Sequence, residues 1–108
     1  MKEIRAIIRP SRLGQLRIAL REIEDFPGMT VFEAEGVTAP AWVSRLTVRE
    51  ELTDFSKKAM ICVLSRDEMV EVIAETIIRE CRTGQVGDGL IWVVPVEWTR
   101  RIRDTERG

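Results

Sequence analysis

From Lys2 to Pro10 the chain alternates Ile4, Ala6 and Ile8 against Glu3, Arg5, Ile7 and Arg9, the period of a strand, and Pro10 closes it. Ser11 stands where a helix N-cap is expected, and Leu13, Leu16, Leu20 and Ile23 then recur at helical steps. That spacing predicts a helix with Arg17, Arg21 and Glu22 on its wet side, stopping before Pro27-Gly28. Met29 to Gly36 predicts a second strand.

Between Val37 and Phe55 the periodicity fails, and Pro40 interrupts a stretch in which Trp42, Val43, Leu46 and Leu52 are scattered among charges. Residues 37–55 are either a long loop that offers Trp42, Val43 and Leu46 to a partner, or a continued hairpin folded onto the protein's own body. Lys57 to Leu64 predicts a third strand, apolar on both faces. Ser65-Arg66-Asp67-Glu68 has the form of a capping box. The helix it starts carries Val70, Ile73, Ile77 and Cys81 on one face and is expected to end at Gly84. Leu90 to Val96 is the fourth strand, Trp98 to Arg103 a short further strand or arm, and residues 104–108 a polar tail.

The predicted order is βαββαβ, an α+β ferredoxin-like sandwich with an antiparallel sheet and right-handed crossovers, formed as one domain over residues 1–103. Helices cover one face of such a sheet. Met60, Ile61, Cys62 and Val63 with Ile91, Trp92, Val93 and Val94 leave the central strands apolar on both, so the uncovered face predicts self-association.

Composition narrows the function. The 17 basic and 18 acidic residues nearly cancel, which gives no support to a nucleic-acid partner. The N-terminus lacks the apolar run of a signal peptide, and no stretch is long enough to span a bilayer, so a cytoplasmic location is expected. The chain has no histidine, which removes the commonest general base and a common metal ligand, and no nucleophile with a base is recognisable. It is therefore read as a non-enzyme without a metal site. Cys62 and Cys81 are read as small core residues.

The chemistry concentrates in Thr83-Gly84-Gln85-Val86-Gly87-Asp88-Gly89, followed by a strand and then by Arg101 and Arg103. Glycines at this density permit positive φ and expose backbone N–H groups to an anion, although such turns are commonly mere connections. Two arginines two residues apart in an extended arm would place both guanidinium forks on one face, suited to phosphate oxygens.

With these elements placed, the chain resembles the PII signal-transducer family along nearly its whole length. The resemblance is carried by Met1 to Pro10, Gly28-Met29-Thr30-Val31, Asp54-Phe55 with Lys58, Glu75-Thr76-Ile77-Ile78-Arg79, the segment Thr83 to Gly89, and Arg101-Ile102-Arg103. It implies a homotrimer that binds adenine nucleotide (ATP, ADP or AMP, with Mg as a permitted companion) in clefts between subunits. By that resemblance Gly87, Asp88, Gly89, Lys58, Arg101 and Arg103 meet the phosphates, Gly28, Met29 and Thr30 wall the base, and Gly36 belongs to the same cleft. It also implies a small-molecule effector and a regulated enzyme or membrane transporter, contacted through the long loop.

Three departures set the chain apart. Leu90 occupies the position where the family's glycine loop continues into a basic residue, which predicts weaker binding or a preference for fewer phosphates. Pro40 replaces a glutamine that helps coordinate Mg with ATP and 2-oxoglutarate, and proline supplies neither side-chain oxygen nor amide. The absence of tyrosine removes any uridylylation site. A divergent PII-like regulator is the first expectation, and a metal-responsive or bicarbonate-responsive trimer, related to copper-tolerance proteins of the same architecture, is the alternative.

Overall fold

A computed structural model describes residues 1–37 and 56–104. The candidate loop residues Trp42, Val43 and Leu46, the departure at Pro40 and the tail from residue 105 lie outside the described residues. Among the described residues four strands and two helices follow in the expected order: β1 (Lys2–Ile8), α1 (Leu13–Arg21), β2 (Thr30–Gly36), β3 (Ser56–Ser65), α2 (Val70–Cys81) and β4 (Leu90–Pro95). The sheet runs β2-β3-β1-β4, with β1 antiparallel to both β3 and β4 and β2 antiparallel to β3. This is the ferredoxin-like α+β arrangement.

Alternation in β1 puts Ile4, Ala6 and Ile8 into the core, where they meet Leu16 and Leu20 of α1, Ala59, Ile61 and Val63 of β3, and Ile73, Ile77 and Cys81 of α2. Each fully buried isoleucine contributes about 2 kcal/mol relative to an exposed one. The opposite face carries Glu3, Arg5 and Ile7, with Phe32, Met60, Cys62, Leu64, Trp92 and Val94 in register beside them. Phe32 and Leu64 are half exposed there. The centre of this face is not purely apolar: Arg5 donates to Glu3 Oε1 at 2.6 Å, between Trp92 and Cys62 in the ladder. Cys62 is thus a half-buried residue of the uncovered face, whereas Cys81 is a core residue as expected.

Four local expectations are corrected. Ser11 lies inside a 3-10 turn, Pro10–Arg12, and makes no capping bond; the turn is closed instead by Arg12 N–H donating to Arg9 O at 3.0 Å. The capping box does not form, because Ser65 is buried and its hydroxyl donates to Arg66 O at 2.8 Å. Chain reversal after α1 starts at Glu22, and Ile23 reaches the core from this turn, where Ile23 N–H donates to Leu20 O, not from the helix. Finally, α2 ends at Cys81 with Arg82 extended, so Gly84 (φ +84°) shapes the following turn and does not cap the helix. Among the described residues no helix is long and apolar enough to cross a membrane.

Candidate functional site

The turn between α2 and β4 is built around one carboxylate. Asp88 Oδ2 accepts the backbone N–H groups of Thr83 and Gly84, both at 2.8 Å, and Oδ1 accepts the Thr83 hydroxyl and Arg9 Nε, the latter at 3.2 Å. Arg9 Nη2 also donates to Val86 O at 2.8 Å. The Thr83 hydroxyl, followed by the Thr83 and Gly84 backbone donors and Arg9, holds Asp88 well below the usual carboxylate range. Such a carboxylate stays charged and keeps the loop closed.

The glycines of this loop have identifiable reasons. Gly87 and Gly89 adopt φ of +99° and +102°. A Cβ on Gly89 would lie 1.7 Å from Ile7 O, so the loop presses backbone against the end of β1 as only glycine allows. A Cβ on Gly87 would lie 3.2 Å from Arg9 Nη2 and 3.6 Å from Lys58 Nζ, placing two cations around that peptide. Lys58 donates to Gly87 O at 2.6 Å. It also packs under Gly36, the last residue of β2, whose Cβ position is 3.2 Å from Lys58 Cγ.

Gly36, Val37, Lys58, Ile7 and the loop from Gln85 to Leu90 line a cavity of about 560 Å³, within the range of small-molecule sites. Glycine backbone and the Lys58 ammonium suit a phosphate group, and Leu90, 59 % exposed on the rim, adds no charge. Gly28, Met29 and Thr30 line a different cavity of about 320 Å³, with Glu3, Phe32, Cys62 and Leu64. Burial, then the nearby Glu3 charge, pushes the Cys62 thiol up, so it lines this cavity as a neutral group. A third cavity shares Pro27 and Leu64 with the second and contains Arg101.

The anticipated residues therefore divide into two sets. Gly36, Lys58, Gly87, Asp88 and Gly89 converge at one cavity, while Gly28, Met29 and Thr30 line another, connected to Arg101. Arg103 joins neither and pairs with Asp104 at 3.5 Å, its side chain 85 % exposed. The extended arm expected for Trp98 to Arg103 is not a strand: no neighbouring strand holds it among the described residues, and Asp104 N–H closes a turn onto Arg101 O at 3.0 Å. The two guanidinium groups are consequently not presented on one face of an extended segment.

Asp88 also has a role not visible from its position. Its carboxylate is engaged inside the loop, and what it offers a ligand is backbone. The sequence alone assigns no task to Arg9 or to the Thr83 side chain; the available signal was an unexplained cation at the end of β1. Among the described residues no group of three or more His, Cys, Asp and Glu side chains is placed to hold a metal ion. Cys81 is buried with its thiol pushed up to about 11, chiefly by burial, unsuited to nucleophilic or metal chemistry near neutrality.

Comparison with known sequences identifies the family. The family described as Nitrogen regulatory protein P-II matches residues 1–106. Among similar proteins, the nitrogen regulatory protein P-II of Azospirillum brasilense is 40% identical over 109 residues, covering 100% of this chain and 96% of the relative. That of Microchaete diplosiphon is 36% identical over 99% of this chain and 96% of its own length, and that of Pyropia yezoensis 37% identical over 98% and 95%. With the family match and the similarity to its members running nearly the full length of the chain, and the fold consistent with it, the chain belongs to the P-II family of nitrogen regulatory proteins.

Proposed function

We propose that the protein is a non-enzymatic signalling regulator that assembles as a homotrimer and binds adenine nucleotide between neighbouring copies. The observation that carries this proposal is the division of the candidate residues into two half-sites at separate places on one protomer. A cleft that used both would be completed by a second copy, with the glycine loop and Lys58 of one protomer facing Gly28, Met29, Thr30 and the arm of the next. Half-exposed Phe32 and Leu64 on the face of the sheet away from the helices supply apolar surface for that association.

In such a cleft the loop's backbone and Lys58 meet phosphate oxygens, and Arg101 and Arg103 supply guanidinium forks once the arm is held by the neighbour. Mg would accompany the phosphates as their counter-ion, held chiefly by nucleotide and water oxygens, since the described half-sites add few uncommitted carboxylates. With Leu90 on the rim, a nucleotide of fewer phosphates is favoured over ATP. Lys58 touches both the glycine loop and Gly36, so nucleotide occupancy can bias the segment that begins at Val37 and, through it, a partner enzyme or transporter. A ligand biases a segment only to the extent that it binds alternative conformations with different affinity.

Light scattering and calorimetry with ATP, ADP and AMP test the proposal together. A trimer that takes up one nucleotide per protomer is expected. A folded trimer with no heat for any of the three would refute nucleotide control, and a monomer at micromolar concentration would refute the shared cleft.

A further inference from the structure

We infer that Arg9 is a positioning residue for the phosphate half of the cleft: it fixes the glycine loop in the shape that presents backbone to a phosphate, without lining the cavity itself. This rests on the nucleotide function proposed above. Arg9 follows the last residue of β1, Ile8, which is buried, so its own backbone is anchored to the sheet. From there the guanidinium makes a two-point contact across the chain, with Nε on Asp88 Oδ1 at 3.2 Å and Nη2 on Val86 O at 2.8 Å. The two acceptors flank Gly87, and Nη2 stands 3.2 Å from the place where a Cβ on that glycine would be.

The loop needs such a brace. Gly84, Gly87 and Gly89 all hold positive φ, and glycine loses more backbone freedom on being fixed than any other residue. Asp88 gathers Thr83 and Gly84 but is itself part of the loop. Two contacts tie the described loop to the sheet through side chains: Arg9 on Val86 and Asp88, and Lys58 on Gly87 O. Lys58 lines the cavity, so a phosphate competes with Gly87 O for its ammonium. Arg9 is absent from that lining, and its two acceptors, Asp88 Oδ1 and Val86 O, hold it to the loop. Its side chain is 29 % exposed and that of Asp88 23 %, so the pair is shielded enough to act as more than a surface contact.

A lysine at this position offers one charged point and can satisfy Asp88 or Val86, not both with the fork's geometry. The experiment compares the wild type with Arg9→Gln and Arg9→Lys in the intact oligomer, titrating adenosine and ADP separately and following backbone amide exchange in the ligand-free protein. Arg9→Gln is expected to weaken ADP about tenfold while adenosine changes less than about twofold, because adenosine uses only the base half of the cleft. Arg9→Lys should recover part of that loss. Thr83 and Gly84 amides should exchange at least about tenfold faster in Arg9→Gln, with α2 unchanged.

Equal weakening of adenosine and ADP would reduce Arg9 to a general structural role and overturn the inference, as would unchanged exchange at Thr83 and Gly84. A wild-type protein that binds no adenine nucleotide would refute the proposed function instead, and the exchange rates would still show whether Arg9 holds the loop.

Discussion

The glycine loop and the C-terminal arm carry the two groups of residues expected to meet a phosphate, and they are organised in opposite ways. The loop is closed on itself: Asp88 gathers Thr83 and Gly84, Arg9 and Lys58 tie it to the sheet, and Gly89 lies against β1. The arm is held by no strand pairing among the described residues. Ile102 is fully exposed, Trp98 is more than half exposed under the Arg100 guanidinium, and Arg103 meets only its neighbour Asp104 among the contacts described. A half-site finished within one chain can be judged from that chain. One completed by a second copy, as proposed above for the arm, cannot, and exposed Ile102 and Trp98 mark where such a surface would have to come.

Substitutions in the two regions should differ in kind as well as in size. Gly89→Ala should be the most damaging, since a Cβ 1.7 Å from Ile7 O forces the loop off the sheet at a backbone angle unsuited to alanine. A loss of about 3 kcal/mol in a denaturant titration is expected, with nucleotide binding lost alongside. Arg101→Ala and Arg103→Ala should do the reverse. Each is expected to weaken nucleotide about tenfold or more in calorimetry while unfolding stability stays within about 0.5 kcal/mol. If either arginine variant proved as unstable as Gly89→Ala, the contrast between a braced loop and a waiting arm would fail.

Leu90→Lys should sharpen the comparison from the other direction. A cation added at the cavity rim is expected to tighten ATP about threefold to tenfold, more than AMP, because the extra charge reaches the outer phosphates. Equal tightening of both nucleotides would place Leu90 away from the phosphate chain. The smallest effect near neutrality is electrostatic. Asp88 in the folded protein lies below its ordinary value of 3.8, so its stabilising contribution is complete above that pH and is lost as pH falls toward the lowered folded value. The Thr83 and Gly84 amide signals in an NMR acid titration of the folded protein should hold steady through the ordinary carboxylate range, about pH 4, and shift only at lower pH. In Asp88→Asn that acid response should vanish, and the arm's signals should be indifferent to the substitution.

Much of the protein was legible in the order of its residues. Period-two alternation in β1 and the three- and four-residue steps of both helices determined the elements, their order and the ferredoxin-like class, because side chains must reach one core from a repeating backbone. The glycine loop was legible too, since its glycines restrict the backbone locally. Helix ends were less so: Ser11 and Ser65 have the right chemistry for caps, but packing buried Ser65, and a 3-10 turn leads into each helix in place of a capped start.

What only the tertiary structure decided is which distant side chains meet. Arg9 and Asp88 are 79 residues apart, Lys58 and Gly87 are 29 apart, and no local pattern marks either pair. The register of β1 between β3 and β4 brings the end of one strand beside the loop that begins another. The same register separates Gly28, Met29 and Thr30 from Gly87 and Gly89, which the sequence suggested for one cleft. The glycine loop was written locally, by residues that tolerate its angles; its brace and its separation from the other half-site were set by the sheet.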